Sequence, residues 1–388
     1  MRVSKSMTIG EILSLPDEEI DIAAAALVLS KQWDKTVDIE RYIKRIDKMA
    51  NSLQLVMTKQ EEPYTVVQNI NDYIFHELGY RLPEAASLAS VVRFSAQVNE
   101  EPFLIHSLLE RKIGTCTSLS VLYLSLSERL ELPIYGVAVP QHIFVRYDDS
   151  MVRINIETTD SGKSFSDNYY RGRFRIPTKT SYLANLSKRQ FIGCLLTNLG
   201  TLYAQQGRIE EAIASLKTGI SVNPDYSAEH VNLGCIYLDQ GRLEEAVVEL
   251  KTALSIDPGL LPAHVNLGSV YLEQDKLDEA ISELSTVVNV APDIAEAHAN
   301  LGIVFGKQGK LEEAMEQYKI SINLDPDLAE AHYNLGNTYA EQDKREGAIA
   351  HLMAFIRLAN ANPMLRNETA EAQRMIDELN KHDEAQRK

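Results

Sequence analysis

Apolar positions in the second half of the chain follow helical spacing and recur every 34 residues. Each unit carries Asn-Leu-Gly, an aromatic residue three positions after the glycine and an alanine twelve positions after it. The small residues let two helices approach closely, and one helix pair cannot bury its apolar face alone. The pattern therefore predicts stacked helix pairs, whose first helices contain Asn198, Asn232, Asn266, Asn300 and Asn334.

Residues that end helices separate these units at fixed places. A glycine or aspartate lies at the expected turn inside each pair, where a left-handed residue is favoured. A proline stops the second helix of four pairs. The turn residues are Gly207, Gly241, Asp275, Gly309 and Asp343, and the prolines are Pro224, Pro258, Pro292 and Pro326.

This order of small, aromatic and proline positions resembles the tetratricopeptide repeat. The resemblance implies an all-α solenoid of five repeats over residues 188–362. A polar helix from about 365 to 381 is expected to cap the last pair, within a C-terminal segment covering 363–388.

The first half of the chain changes from helical to alternating patterning after Leu132-Pro133. Before this point, apolar residues recur at helical spacing, and after it they alternate as in antiparallel strands. The polar stretch 160–187, with Arg171, Arg173 and Arg175, is expected to be an irregular solvated loop. The expected helices lie near 20–29, 38–53, 64–78, 103–109 and 115–130, and the expected strands at 134–139, 143–147 and 151–156.

Charge is unevenly divided along the chain, whose net charge is −16. From residue 189 onward there are 31 acidic and 17 basic side chains, whereas residues 1–188 hold 24 and 22. Nucleic acid is therefore not expected as a partner, because its phosphates need a basic surface. A neutral or basic protein or peptide fits better, although acidic pairs such as Glu210-Glu211 are also explained as solvated helix faces.

The N-terminus shows no apolar signal segment, and the longest apolar run, 22–29, is too short to span a bilayer. Three widely spaced cysteines fit a reducing compartment, so a cytoplasmic location without membrane contact is expected. Cys194 and Cys235 fall in repeat helices, where packing explains them. No cofactor or metal is expected, since the aligned histidines lie about one repeat apart: His230, His264, His298 and His332.

The sequence offers one candidate set of nucleophile, base and orienting acid, which is Cys116, His142 and Glu157. Cys116 falls at a predicted helix start, where the helix dipole favours a thiolate. His142 and Glu157 fall on neighbouring strands. A turn centred between residues 149 and 150 would place them directly opposite each other, within reach of a hydrogen bond. The same register places Arg146 opposite Arg153, an unfavourable pair of like charges.

The first half also resembles the transglutaminase-like branch of papain-like thiol enzymes, and most closely the bacterial SirB-type group. The resemblance covers roughly residues 11–205 and rests on several motifs in a fixed order. They are Leu15-Pro16-Asp17-Glu18-Glu19-Ile20-Asp21, Gly114-Thr115-Cys116-Thr117-Ser118, Leu132-Pro133, Gly136-Val137, Pro140-Gln141-His142 with Phe144-Val145-Arg146, and Asn155-Ile156-Glu157-Thr158-Thr159.

The resemblance implies an α+β head with an N-terminal helical segment (1–60) and a core (61–187), and acyl-transfer chemistry by thiolate attack on an amide. Many SirB-type members lack the cysteine, which this chain has. Gln141 stands where the group commonly has glycine, and Glu157 stands where it has aspartate. The Cys116 backbone N–H is the one oxyanion donor that the sequence identifies.

The asparagine of each repeat occupies the position that faces the groove in tetratricopeptide arrays. Its amide offers a donor and an acceptor together, which matches one peptide unit of an extended chain. Asn198, Asn232, Asn266, Asn300 and Asn334 are therefore candidate peptide-binding residues, with helix packing as the alternative. Two functions stay open: a protein-interaction scaffold, or a cysteine-dependent peptidase, amidase or acyltransferase whose repeats recruit its substrate.

Overall fold

A computed structural model describes residues 7–58, 61–83, 103–176, 182–359 and 366–386. The chain divides into two compact units, residues 1–236 and 237–388, and the division falls inside the helix Ser227–Asp239. Within the described ranges, no helix combines the length and apolar character needed to cross a membrane. The domain borders expected from the sequence stay predictions.

The first unit holds seven helices and three strands of an α+β head, followed by three repeat helices, counted over its described residues. A π-helical turn, Asp72–Glu77, extends α4, and 3₁₀ turns lie at Asp17–Glu19 and Thr158–Asp160. The elements are α1 Ile9–Leu13, α2 Ile22–Trp33, α3 Ile39–Val56, α4 Pro63–Asn71, α5 Ile105–Arg111, α6 Cys116–Arg129, β1 Ile134–Val139, β2 His142–Asp148, β3 Arg153–Ile156, α7 Asp167–Phe174, α8 Lys188–Gln205, α9 Ile209–Val222 and α10 Ser227–Asp239.

Helix α6 forms the centre of the head. Eleven of its fourteen residues are buried, because α2, α3, α5 and the first two strands pack around it. The backbone at the start of α6 packs closely against its neighbours: a Cβ on Gly114 would lie 2.4 Å from Ser118 Oγ and 2.6 Å from Leu108 Cδ1, so a side chain there would displace both. Position 116 therefore lies at a fixed helix end.

The three strands form an antiparallel meander in the order β1-β2-β3, as predicted. The predicted register of the second hairpin is wrong by two residues, since Arg146 pairs with Asn155 and Asp148 pairs with Arg153. The two-residue turn is Ser150-Met151, because the Asp149 side chain accepts hydrogen bonds from the backbone N–H groups of residues 151 and 152. The like-charge pair of the predicted register is absent.

A register shift of two keeps every side chain on its predicted face of the sheet. Arg146 is 1% exposed, and its Nε donates to Asn155 Oδ1 at 2.6 Å. Its guanidinium also pairs with Asp167 at the start of α7. The face that carries His142 is therefore buried under the segment that follows the sheet.

The segment 160–187 was expected to be irregular, and this is wrong for Asp167–Phe174, which form α7. Ser166 caps the helix by accepting a hydrogen bond from the Tyr169 N–H. Arg171 and Arg173 lie in its last turn, where positive charge interacts favourably with the helix dipole. The polar composition of this segment did not indicate a helix. The short helix packs through its aromatic residues.

The first repeat helix is joined to the sheet within the same unit. A Cβ on Gly136 of β1 would lie 2.4 Å from the Phe191 ring of α8, so the strand and the helix are in contact. The Leu183 and Leu186 N–H groups donate to the Ala138 and Gly136 carbonyls just before α8 begins. The wall that α8 presents to the head is thereby fixed.

The second unit consists of consecutive helix pairs, as predicted. Gly268 and Gly302 lie against Leu284 and Tyr318 of the partner helices, so the Asn-Leu-Gly glycines do mark close approaches. The turn residues Gly207, Gly241, Asp275, Gly309 and Asp343 all have φ between +55° and +74°. The helices are α11 Leu243–Ile256, α12 Leu261–Glu273, α13 Leu277–Val290, α14 Ala295–Lys307, α15 Leu311–Leu324, α16 Ala329–Glu341, α17 Arg345–Ala359 and the polar C-terminal α18 Arg366–Gln386.

Candidate thiol site

Cys116 is the first residue of α6 and is half-buried. The backbone N–H groups of the first helical turn have no partner within the helix, and they carry the positive end of its dipole. The Ser118 hydroxyl accepts a hydrogen bond from the Thr115 N–H at 3.0 Å and so fixes the residue before the cysteine. The sulfur therefore lies where negative charge is stabilised.

His142 and Glu157 are brought together by the observed register as diagonal neighbours rather than as an opposed pair. His142 Nε2 donates to Glu157 Oε2 at 2.8 Å, and both residues are almost fully buried. His142 Nδ1 is also buried and has no oxygen or nitrogen partner within the described part of the chain. That nitrogen is left to interact with the thiol.

Two residues that the sequence did not indicate hold the Glu157 carboxylate. The Tyr170 hydroxyl donates to Oε2 at 3.0 Å, and Thr159 donates to Oε1 through its hydroxyl and through its backbone N–H. Glutamate has one more rotatable bond than aspartate, and these bonds fix it. Thr159 could have been found as a local side-chain partner two residues away, whereas Tyr170 comes from the unpredicted helix α7.

The imidazole of His142 is also covered by an aromatic ring. Phe174, at the end of α7, stacks on it with ring centroids 5.5 Å apart and an interplanar angle of 9°. Tyr170 stacks on Phe144 of β2 at 4.1 Å. The aromatic residues of α7 therefore pack against the strand that carries His142 and against its imidazole.

The pKa shifts follow from these contacts. Burial raises the pKa of the Cys116 thiol, but interaction with the His142 imidazole and the Ile143 backbone outweighs burial and brings the pKa below its ordinary value. Burial lowers the pKa of His142, but Cys116 and Glu157 together raise it to about 10. Burial alone would raise the pKa of Glu157, and its hydrogen bonds to His142 and Thr159 lower it instead. The arrangement favours a thiolate beside an imidazolium.

A cavity of about 280 Å³ opens beside the thiol, and Cys116 and His142 form part of its wall. The opposite wall comes from the first repeat helix, through Asn198 and Leu202, and from Asn232 of α10. Apart from Cys116 and His142, none of the described lining residues is charged at neutral pH. The cavity therefore suits a neutral acyl group of one or two side chains.

Gln141 also lines the cavity, in the two-residue turn between the first two strands. Its φ is +59°, a conformation that glycine adopts without steric cost and that other residues adopt rarely. The backbone at this position thus has the shape expected for a glycine.

The five candidate asparagines are all half-buried. Asn198 Nδ2 donates to the Thr117 hydroxyl at 2.7 Å, so this amide already contacts the residue after the cysteine. In the second unit, Asn300 Nδ2 donates to Ser269 Oγ at 2.9 Å on the preceding repeat. Peptide binding by Asn198, Asn232, Asn266, Asn300 and Asn334 stays a prediction.

The remaining cysteines and histidines have environments that differ from that of Cys116. Burial, followed by the nearby Glu229 charge, raises the pKa of Cys194, and Cys235 is half-buried on α10. His106 is nearly buried and lies edge-on to Tyr42. In the repeats of the second unit, each aligned histidine (His264, His298, His332) contacts a proline carbonyl through Nε2.

Comparison with protein families agrees with the two resemblances. Residues 40–197 match the model of the transglutaminase-like superfamily. Tetratricopeptide-repeat models match residues 200–241, 237–301, 306–343 and 329–362. The predicted order of the two folds is confirmed.

Individual proteins are similar to parts of the chain. A UPF0162 protein of Xylella fastidiosa (strain 9a5c) is 21% identical over 218 residues, which are 52% of this chain and 72% of that protein. The solved structure of MamA from Desulfovibrio magneticus RS-1 is 24% identical and covers 44% of this chain and 97% of its own, with a TM-score of 0.37. The tetratricopeptide protein TTC0263 of Thermus thermophilus is 23% identical and covers 47% and 98%, with a TM-score of 0.43.

Proposed function

Since the chain carries a transglutaminase-like domain followed by tetratricopeptide repeats, we propose that it is a cysteine-dependent acyl-transfer enzyme that acts on a peptide or protein. The observation that supports this most strongly is the buried 2.8 Å hydrogen bond between His142 and Glu157, which leaves His142 Nδ1 for a thiol of lowered pKa. A cysteine with only a packing role needs neither the imidazole nor the orienting acid.

In the first step, the Cys116 thiolate attacks the carbonyl carbon of an amide, and the carbonyl electron pair moves to the oxygen. His142 then donates its Nδ1 proton to the leaving nitrogen as the C–N bond breaks, which gives a thioester and a free amine. Glu157 keeps the imidazole in the orientation and tautomer that this transfer needs.

In the second step, water or an amine attacks the thioester carbon while His142 takes its proton. The C–S bond breaks, the thiolate returns, and the acyl group leaves on oxygen or on nitrogen. The acceptor decides whether the enzyme is a hydrolase or a transferase, and both outcomes use the same three residues.

A second role, as a protein-interaction module, is favoured by the lining of the cavity. Asn198 and Asn232 of the repeats lie on the wall of the cavity that holds the thiol. An extended peptide that pairs with these amides would present its own amide to Cys116. The excess of acidic side chains from residue 189 onward favours a neutral or basic segment.

The enzyme proposal is tested with an iodoacetamide-based thiol probe at neutral pH, followed by mass spectrometry of the labelled peptides. We expect fast labelling of Cys116, strong reduction in His142→Ala, loss of that label in Cys116→Ala, and little labelling of Cys194 and Cys235. A Cys116 that labels no faster than Cys194 would contradict the proposal and leave the interaction role.

The interaction role is tested by binding of an extended peptide library to the Asn198→Ala, Asn232→Ala double variant. Weaker binding is expected, because each alanine removes a donor and an acceptor for the peptide backbone, and the loss of stability should not exceed that of the Asn198–Thr117 hydrogen bond, about 1 kcal/mol. Unchanged binding would contradict a role for these two amides.

A further inference from the structure

The thiol site lacks an assigned side chain to stabilise the negative oxygen that forms when the thiolate attacks. Such donors have to lie about 2.7–3.1 Å from the developing oxyanion, and each contributes roughly 10²–10³ in rate. The Cys116 backbone N–H is one candidate. The residue that follows it offers a second.

We infer that the Thr117 hydroxyl is the second oxyanion donor, held in place by Asn198 of the first repeat. The inference rests on the proposed acyl-transfer function and names a further group in that reaction. It also gives the first repeat a direct part in the chemistry.

Position and burial support this role for Thr117. The residue is 3% exposed, lies in the first turn of α6 and forms part of the cavity wall beside Cys116. Its hydroxyl oxygen is 4.0 Å from Cys116 Sγ, which is contact without a strong bond. An oxygen two bonds away from the sulfur in a tetrahedral adduct is therefore within reach of this hydroxyl.

The hydrogen bond from Asn198 makes the Thr117 oxygen an acceptor and leaves its hydroxyl proton available for donation. Asn198 Nδ2 donates to Thr117 Oγ1 at 2.7 Å, so the oxygen is the acceptor and its own proton is left over. Over the described residues, Cys116 Sγ is the one atom within contact range that could accept this proton. A buried hydroxyl with an unused proton beside a nucleophile is a preorganised donor.

A hydroxyl that served helix capping or packing alone would be bonded differently. The Thr201 hydroxyl, one turn beyond Asn198 on α8, donates to the Thr197 carbonyl at 3.1 Å, the usual bond to the preceding turn. Thr117 makes no such bond among the described residues. Thr201 therefore provides the matched control within the same region.

The test compares two reactions of Cys116 in the full-length protein. Acylation by p-nitrophenyl acetate passes through an oxyanion, whereas alkylation by iodoacetamide does not. We expect Thr117→Val to slow acylation roughly a hundredfold and to change alkylation less than about threefold. Thr117→Ser should retain most of the acylation rate, Asn198→Ala should lose roughly tenfold, and Thr201→Val should behave like the unchanged chain.

The outcomes separate this inference from the proposed function. Absence of acyl transfer to Cys116 in the unchanged protein, measured by mass spectrometry of the acylated peptide, would overturn both. Normal acylation with an equal rate in Thr117→Val would overturn the oxyanion role alone. Equal losses of acylation and alkylation in Thr117→Val would also overturn it, since the hydroxyl would then act on the thiolate rather than on the oxyanion.

Discussion

Two cysteines line the same cavity, and the pKa values of their thiols are shifted in opposite directions. Cys116 starts a helix of the head beside His142, and these surroundings bring its pKa below the ordinary value. Cys194 lies inside the first repeat helix, where burial and then the charge of Glu229 raise its pKa. Burial opposes ionisation of both thiols, so the difference comes from the imidazole and the helix end. Access to a cavity does not by itself make a thiol reactive.

Each unit contains a histidine–carboxylate pair, and the two pairs differ in whether the second imidazole nitrogen is free for a nucleophile. His142 bonds to Glu157 through one nitrogen and keeps Nδ1 for the thiol. His264 also has a carboxylate partner, Glu283 at 2.6 Å, but its second nitrogen contacts the Pro258 carbonyl at 3.1 Å. Both nitrogens of His264 are therefore engaged, one by Glu283 of the next helix and the other by the turn before its own helix, and the pair has no nitrogen left for a nucleophile.

The largest expected effect follows from removing the imidazole that distinguishes Cys116 from Cys194. In His142→Ala, the thiol loses the interaction that outweighs burial, and its pKa should rise above the ordinary value. Turnover of p-nitrophenyl acetate at pH 7 should fall roughly 10³-fold, through loss of thiolate and of general acid–base catalysis. The measurement is kcat/KM across pH 5–10.

The His264→Ala variant is the matched control for this prediction. It removes a histidine with a similar carboxylate partner from the second unit, so it should lower stability and leave kcat/KM unchanged. Equal losses in both variants would show that the effect on turnover comes from destabilisation.

The next effect concerns the acid beside Cys194. Glu229 is fully buried, its Oε1 accepts from the Thr197 hydroxyl at 2.8 Å, and burial raises its pKa to about 8. The folded state therefore binds this proton more tightly than the unfolded state, whose pKa is near 4.5. The contribution to stability is full below pH 4.5, is lost as the pH rises to about 8, and stays constant above that.

Glu229→Gln should remove this pH dependence, because the amide has nearly the same shape and does not ionise. The free energy of unfolding of the unchanged chain should fall between pH 5 and 8 by on the order of 2–4 kcal/mol more than that of the variant. Urea unfolding at several pH values measures the difference. Parallel curves for the two proteins would mean that Glu229 is not buried as a neutral acid.

Turns and helix ends that depend on a few neighbouring residues were predictable from the sequence. The glycines at the equivalent place in the other repeats predict left-handed turns at Asp275 and Asp343, whose φ values are +57° and +55°. The start of α6 was also predictable, because Thr115 and Cys116 precede apolar residues at helical spacing. Such features depend on a few neighbouring residues.

The candidate site was predictable by face but not by register. A hairpin slip of two residues leaves His142 and Glu157 on one face, so their proximity survived an incorrect pairing. The repulsion between Arg146 and Arg153 was the sign that the pairing was wrong. Tyr170 could not be predicted, because its contact with Glu157 depends on how α7 folds over the sheet.

The smallest expected effect tests whether Tyr170 positions the acid that serves Cys116. Tyr170→Phe removes the 3.0 Å hydrogen bond to Glu157 and keeps the ring that stacks on Phe144. With one fewer donor, the pKa of Glu157 should rise and the imidazolium should be held less strongly, so the pH at which the Cys116 thiolate forms should rise by up to about 1 unit.

Alkylation by iodoacetamide should therefore slow about three- to tenfold in Tyr170→Phe at pH values below the midpoint of thiolate formation, and should approach the rate of the unchanged chain as the pH rises above that midpoint. Tyr169→Phe is the control, because its hydroxyl accepts from Arg173 and does not contact Glu157. A uniform loss at every pH would indicate altered access to the sulfur, and an unchanged profile would indicate that Thr159 and His142 hold Glu157 without the tyrosine. A shift confined to low pH is the result that a positioning role requires, since only the protonation equilibrium of the pair depends on that hydrogen bond.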